Sequence, residues 1–231
     1  MGGFLKRAVT TGYGALRGLR NVTFALSLSG VAAVAEPVTV VALGDSLTAG
    51  YGLPPEEGLV PQLQAWLQAA GAEVVVQNAG VSGDTTAGGL SRLDWALGPE
   101  ADALIVALGG NDMLRGLPPE EARANLAAIL AKARGRGLPV LLVGMTAPAN
   151  YGPDYKAAFD AIYPDLAVAE GALLLPDFFD GFRAAGADLT EPESFAAWMQ
   201  ADGIHPNAEG VALIVAVLGP KVLELLARAG G

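Results

Sequence analysis

The sequence contains no cysteine and only one histidine, His205. The lack of cysteine excludes thiolate nucleophiles, disulfide bonds and metal sites with cysteine ligands. It also means that export to an oxidising compartment would create no disulfide-pairing problem. A single histidine excludes metal sites built from two or three imidazoles, so any mechanism that requires an imidazole must use His205.

Basic residues are few: the sequence has 14 Lys+Arg and 24 Asp+Glu. Some of the basic residues are concentrated near the N-terminus. Four basic residues precede the first acidic residue, Glu36, and the apolar stretch "VTFALSLSGVAAVA". They are Lys6, Arg7, Arg17 and Arg20. A basic region, a short apolar region and small residues at Ala33 and Ala35 are typical of a signal peptide. We predict that residues 1–35 are cleaved after Ala35 and that the protein is periplasmic or secreted. The alternative is an extension that is not cleaved.

This N-terminal apolar stretch is too short for a comfortable membrane span, so no stable membrane anchor is expected. Removal of residues 1–35 takes away four Lys+Arg and no Asp+Glu, and changes the formal net charge from −10 to −14. Such an acidic surface repels phosphate backbones. Nucleic acid is therefore not an expected partner.

After the predicted signal peptide, short apolar runs of strand length alternate with longer segments of helical periodicity. The runs are "VTVVAL", "EVVVQN", "ALIVAL", "VLLVG" and "ALLLP". The helical segments are Leu59–Ala70, Thr85–Leu97, Pro119–Arg134, Tyr155–Glu170 and Asn207–Ala229. This alternation predicts a single α/β domain over residues 36–231, with a parallel sheet covered by helices on both faces. In such sheets ligands bind beyond the carboxyl ends of the strands.

Three glycine-rich loops follow the first three strands: "GDSLTAG", "AGVSGDTT" and "GGNDM". None is a dinucleotide-binding GxGxxG after the first strand, and the phosphate-binding GxxxxGK[ST] and the nucleophile elbow GxSxG are both absent. A nucleotide-binding enzyme is therefore disfavoured. Ser46 in the first loop is either a helix cap or a nucleophile of another arrangement.

A serine nucleophile requires a base, and the base requires a group that orients it. Asp202 lies three residues before His205, a spacing at which a local turn brings the carboxylate against the imidazole. The oxyanion could be held by the N–H groups of Ser46 and Gly83 and the side chain of Asn111. Each residue also has a structural interpretation, since these loops are good turn formers. Asp45 is predicted to cap or bond within its own loop.

The blocks "GDSL", "GVSGDTT", "GGND" and "DGIHP" resemble, in order and spacing, those of the SGNH hydrolases, a branch of the GDSL esterase/lipase superfamily. Similarity extends through "GLSRLDWAL", "GGNDMLRGLPP", "PANYGPDYKAAFDAIYP" and "WMQADGIHPN". It is strongest to the bacterial multifunctional thioesterases, lysophospholipases and arylesterases of that superfamily.

The resemblance implies Ser46, Asp202 and His205 as catalytic residues and Ser46, Gly83 and Asn111 as the oxyanion hole, with neither cofactor nor metal. It implies a three-layer α/β/α sandwich with five parallel strands in the flavodoxin-like order 2-1-3-4-5. It also implies a mobile loop, Met113 to Pro118, that closes on acyl chains. Substrate contacts are expected from four residues: Met113, Leu114, Pro148 and Tyr151. The segment "FRAAGADLTEPES" before Trp198 could reshape the pocket on its leaving-group side.

The predicted function is hydrolysis of carboxylic esters or thioesters through an acyl-enzyme on Ser46. Expected substrates are small acyl compounds such as aryl esters, lysophospholipids and acyl-CoA, and a monomer is the default oligomeric state. Two alternatives stay open: a carbohydrate acetylesterase with the same catalytic residues, and a non-catalytic binding module.

Overall fold

Five parallel strands form the centre of the fold in the computed structural model, which describes residues 36–230. The strands are β1 Val38–Gly44, β2 Val74–Gly80, β3 Ala103–Ala107, β4 Val140–Val143 and β5 Leu173–Leu175. Their spatial order is β2-β1-β3-β4-β5, which confirms the predicted fold class. The predicted signal peptide, residues 1–35, lies outside the described residues.

The register aligns the ends of the three strands that precede the glycine-rich loops. Gly44 at the end of β1 pairs with Gly80 of β2 and with Ala107 of β3. Because parallel strands in register end at the same edge of the sheet, the three loops begin side by side. All five residues of β3 are buried, as expected for a central strand covered on both faces.

Nine α-helices connect or cover the described strands. They are α1 Ser46–Ala49, α2 Leu59–Ala69, α3 Thr86–Ala96, α4 Gly110–Leu114, α5 Pro119–Gly135, α6 Pro153–Asp160, α7 Ile162–Glu170, α8 Asp180–Ala184 and α9 Ala208–Ala229. α9 packs against α2 and α8, while α5 packs against α3 and α7. These two groups form the outer layers of the α/β/α sandwich.

The last helix, α9, has 22 residues and a mean hydropathy of 2.0 over its most apolar window, so its length and composition would suffice to cross a membrane. One stripe of α9 is buried against the rest of the domain. This stripe contains Val211, Ile214, Leu218 and Val222. Such packing is typical of a core helix in a three-layer domain.

The predicted single helix Tyr155–Glu170 is wrong in its continuity, because the structure divides this segment into α6 and α7 at Ala161. The reason is Pro164, which has no N–H to donate to the carbonyl of Asp160 and whose ring would clash with that carbonyl. The segment after "GGND" also differs from a plain loop. Met113 and Leu114 lie in the short helix α4, and the mobility of residues 113–118 stays a prediction.

Candidate active site

The turn after β1 shows that Ser46 is not the residue that caps α1. Asp45, not Ser46, caps α1: its Oδ1 accepts a hydrogen bond from the N–H of Leu47 at 3.0 Å. Gly44 precedes it because a Cβ there would collide with the side chain of Thr48. Ser46 is the first residue of α1, so its hydroxyl is free to serve another purpose.

The side chains of Ser46, His205 and Asp202 form one hydrogen-bonded series. Nε2 of His205 lies 2.8 Å from Oγ of Ser46, and Nδ1 of His205 lies 2.7 Å from Oδ2 of Asp202. Ser46 and His205 are 159 residues apart in the chain, so only the tertiary fold brings them together. This is the arrangement required for a serine activated by an oriented imidazole.

The loop that carries Asp202 and His205 is held by the Asp202 carboxylate itself. Its Oδ1 accepts hydrogen bonds from the N–H groups of Ile204 at 2.9 Å and of His205 at 3.0 Å. These backbone bonds and the bond from the His205 ring lower the pKa of Asp202 from 3.8 to about 2. Asp202 is therefore an anion throughout the neutral range.

Tyr51 lies against the imidazole on the side of the site that faces solvent. The ring centroids of Tyr51 and His205 are 4.7 Å apart, with an angle of 38° between the planes. The carbonyl of Tyr51 accepts a hydrogen bond from Nε2 of Gln200 at 2.8 Å, which connects the first loop to the loop of the base. Tyr51 was not predicted from the sequence, although its position five residues after Ser46 places it directly after the first glycine-rich loop.

The candidate oxyanion donors come from the three adjacent loops. Gly83 occupies a tight turn in which the N–H of Asp84 donates to the carbonyl of Val81 at 3.1 Å, and its φ of +84° favours glycine. Within residues 36–230, the N–H groups of Ser46 and Gly83 donate to no other protein group. Both residues line the same cavity.

The third candidate donor, Asn111, is tied to Asp45. Nδ2 of Asn111 donates to Oδ2 of Asp45 at 3.2 Å, and the same nitrogen has a second hydrogen to offer. Asp45 is 2% exposed, and burial raises its pKa from 3.8 to about 6 in spite of the hydrogen bonds from Leu47 and Asn111. Asp45 thus bonds within its own loop, as predicted, and also holds a residue of the loop after β3.

A cavity of about 860 Å³ opens over these residues and continues across the ends of β4 and β5. Its floor there includes Met145, Thr146 and Asp177. Apolar side chains from both sides form most of its walls. They include Met113, Leu114, Pro148, Phe179, Leu189, Pro192, Phe195, Met199 and Ile204.

Three of the four predicted substrate contacts, Met113, Leu114 and Pro148, line this cavity. Tyr151 does not: its hydroxyl donates to the carbonyl of Leu114 at 3.1 Å, so it contacts the wall from behind. The structure also adds a wall from the segment "FRAAGADLTEPES", through Leu189, Thr190 and Pro192. In the part of the chain that the structure describes, no group of three His, Asp or Glu side chains could hold a metal ion.

Comparison with known proteins shows which family the chain belongs to. The model of the GDSL-like Lipase/Acylhydrolase family matches residues 42–213, a range that contains every candidate catalytic and oxyanion residue. The chain belongs to this family. The predicted family is therefore confirmed, as is the predicted enzyme class of ester or thioester hydrolase.

Three individual proteins illustrate the similarity of this acylhydrolase to known ones. Esterase TesA of Pseudomonas aeruginosa is 40% identical over 87% of this chain and 99% of its own length. Thioesterase 1/protease 1/lysophospholipase L1 of Escherichia coli K12 is 38% identical over 81% of this chain and 85% of its own. The crystal structure of AlinE4, an SGNH-hydrolase family esterase, is 43% identical over 83% of this chain and 97% of its own, with a TM-score of 0.66.

Proposed function

We propose that the protein cleaves acyl esters and thioesters through a covalent acyl-enzyme on Ser46. The observation that carries this proposal is the series Ser46–His205–Asp202, with its two contacts of 2.8 and 2.7 Å. Nε2 of His205 accepts the proton of the Ser46 hydroxyl as Oγ attacks the carbonyl carbon. The ionised Asp202 then stabilises the imidazolium and holds Nδ1–H toward itself.

The negative charge that develops on the carbonyl oxygen is held by three donors: the N–H groups of Ser46 and Gly83 and Nδ2 of Asn111. Collapse of the tetrahedral intermediate breaks the bond to the leaving group, which takes the proton from His205. In the second half, His205 deprotonates a water molecule that attacks the acyl-enzyme. The carboxylic acid is released, and the proton returns to Ser46.

The side chains that line the cavity favour binding of a hydrocarbon acyl group over binding of a sugar. Besides its apolar walls, the cavity contains five polar side chains at the end away from Ser46, those of Thr146, Lys156, Asp177, Arg183 and Thr190, and each already has a protein partner. Lys156 donates to Asp160 and to the carbonyl of Ala147, Arg183 pairs with Asp180, Thr190 donates to Asp188, and Asp177 accepts from Thr146. A sugar would find few unpaired groups there, whereas an alkyl chain needs none.

The acyl chain, not the leaving group, is the part proposed to lie in this apolar arm. The leaving group must lie beside His205 to receive its proton. Tyr51, which contacts the His205 ring, is 54% exposed, so this side of the site borders solvent and the leaving group can depart there. The acyl group stays bonded to Ser46 until water arrives, so the enclosed part of the cavity suits it better.

Export, a monomeric state and independence of any cofactor belong to the same proposal. The signal-peptide pattern of residues 1–35 supports export to the periplasm or the medium, with the domain acting there as a monomer on small acyl esters. The chemistry requires no cofactor, because Ser46, His205 and the oxyanion donors supply every proton transfer and charge contact. Sequencing the N-terminus of the exported protein tests the cleavage, and a product that still begins at Met1 would contradict it.

The central experiment combines labelling with turnover. Diethyl p-nitrophenyl phosphate should phosphorylate Ser46 in the native protein, as located by peptide mass spectrometry, and should leave Ser46→Ala unlabelled. Ser91→Ala is the matched control, since Ser91 lies on α3 and its hydroxyl donates to the carbonyl of Gly88. An inert native protein would favour the binding module instead.

Substrate class is then read from p-nitrophenyl esters of increasing acyl length, compared with acyl-CoA and acetylated sugars. Higher kcat/KM for four to eight carbons than for acetate supports the acyl-chain proposal. Preference for acetylated sugars over every p-nitrophenyl ester would favour the carbohydrate acetylesterase.

A further inference from the structure

Besides Ser46 on α1, the candidate oxyanion donors are Gly83 and Asn111, which lie in two different segments. Arg115 contacts both segments. A nitrogen of its guanidinium, Nη2, donates to the carbonyl of Gly83 at 2.7 Å, across 32 residues of sequence. Its backbone N–H donates to the carbonyl of Asn111 at 3.2 Å, because Arg115 is the C-cap residue that directly follows α4. One residue therefore joins the Gly83 turn to the helix that carries Asn111.

Other hydrogen bonds hold the neighbours of Gly83: Thr86, three residues later, donates its N–H and its hydroxyl to the carboxylate of Asp112 on α4 at 2.8 and 2.6 Å. On one side, the N–H of Val81 donates to the carbonyl of Gly44, and within the turn Asp84 bonds back to Val81. On the other side, Arg92 pairs with the carboxylate of Asp84 and donates to the carbonyl of Gly44. Gly83 lies between these anchors, and Arg115 is the side chain that holds its carbonyl.

The environment of Arg115 indicates that this bond is its main interaction. No carboxylate lies within ion-pair distance of Arg115 among residues 36–230. By contrast, Arg123 on the neighbouring helix pairs with Asp165. The Arg115 side chain is exposed to solvent, which screens its charge, so its hydrogen bond to the carbonyl of Gly83 is the contact that matters.

We propose that Arg115 is a positioning residue of the oxyanion hole. By holding the Gly83 carbonyl, it fixes the turn so that the Gly83 N–H stays aimed into the cavity at a constant distance from Nδ2 of Asn111. Hydrogen-bond donors accelerate acyl transfer only when they are already in position for the oxyanion, so a looser turn reduces turnover more than substrate binding. This inference rests on the proposed function of Ser46.

The test replaces Arg115 with methionine, which keeps much of the length of the side chain, and with lysine, which keeps its charge. With p-nitrophenyl butyrate, Arg115→Met should lower kcat about tenfold, less than the loss of a whole donor, while KM changes less than about twofold. Arg115→Lys should recover part of the loss. The rate of inactivation by diethyl p-nitrophenyl phosphate should fall with kcat, because its phosphoryl oxygen requires the same donors.

Arg136→Met is the matched control. Arg136 also donates to backbone carbonyls, those of Leu97 and Gly98 at 2.7 and 2.8 Å, but these residues precede β3 at the opposite edge of the sheet. It should leave kcat unchanged. An equal fall in both variants would indicate general destabilisation and overturn the proposal, as would an unchanged kcat or a rise in KM alone in Arg115→Met.

The single variants Arg115→Met, Asn111→Ala and Ser46→Ala separate this inference from the function on which it depends. The double variant Arg115→Met/Asn111→Ala then tests whether the two residues act together. If Asn111→Ala is impaired and Arg115→Met is not, only the role of Arg115 is wrong. If Asn111→Ala and Ser46→Ala both retain turnover, the proposed mechanism itself fails. If the mechanism and the role of Arg115 both hold, the losses of kcat from Arg115→Met and Asn111→Ala should be less than additive in the double variant, because the donors act on one oxyanion.

Discussion

Asn111 donates its side-chain N–H to the buried carboxylate of Asp45, 66 residues earlier in the chain. The residue beside the nucleophile therefore orients a donor that comes from a different strand. Asp45 also caps α1 through Leu47, so a single carboxylate fixes both the helix that begins with Ser46 and the amide of Asn111. Two consequences follow, one for turnover and one for stability.

Asn111→Ala should remain folded and lose turnover. Loss of one oxyanion donor typically lowers kcat on the order of 10²–10³-fold, because the donor acts on charge that is present only in the transition state. KM should change little for the same reason. Steady-state kinetics with p-nitrophenyl butyrate measures both values, and circular dichroism reports folding. Near-normal kcat in a folded variant would remove Asn111 from the oxyanion hole.

Asp45 should make the protein less stable as the pH rises. Its pKa is about 6 in the folded protein and near 3.8 when unfolded, so its contribution is fully present below about pH 4 and is lost as the pH rises through 6. The total loss is about 3 kcal/mol of unfolding free energy. Asp45→Asn carries no such proton and should lack this component. Urea unfolding from pH 4 to pH 8 measures the two curves, and parallel curves would contradict the assignment.

The sequence was sufficient to predict the sheet, most of the main helices and the group of residues that the structure brings together around Ser46. The strands are continuous apolar runs because both faces are buried, and such runs are easily recognised. His205 could be assigned as the base because the chain has no other histidine. The break between α6 and α7 was missed because helical periodicity continues through Pro164, although proline alone was a warning.

Contacts between distant side chains could not be predicted in the same way. The bonds Asn111–Asp45 and Arg115–Gly83 depend on the direction in which side chains leave neighbouring loops, and neither pair has a sequence pattern. The contact between the rings of Tyr51 and His205 depends similarly on how two loops approach. The wall formed by residues 189–195 was located only as a segment that could reshape the pocket on its leaving-group side, whereas we propose that this wall contacts the acyl chain.

Tyr51 should support the imidazolium through its ring and not through its hydroxyl. His205 becomes positively charged during each acyl transfer, and an aromatic face beside a cation is worth about 0.5–1 kcal/mol at an exposed site. We therefore expect Tyr51→Phe to retain native kcat and Tyr51→Ala to lose a few-fold. Steady-state kinetics on the two variants makes the comparison. Equal impairment of both would assign the effect to the hydroxyl instead.

Leu189 should influence which acyl chains the enzyme prefers. It lines the far wall of the cavity, on a segment held by hydrogen bonds from Thr190 to Asp188 and between Ser194 and Asp188. Leu189→Asn places a polar amide where the distal part of a chain would pack, so kcat/KM for the octanoyl ester should fall about tenfold while that for the acetyl ester is retained. Val168→Asn is the control, since Val168 is 87% exposed on α7 and does not line the cavity. The opposite outcome is a fall in kcat/KM of Leu189→Asn that appears when the leaving group of an acetyl ester is varied. In that case the apolar arm of the cavity binds the leaving group, and the acyl chain lies elsewhere.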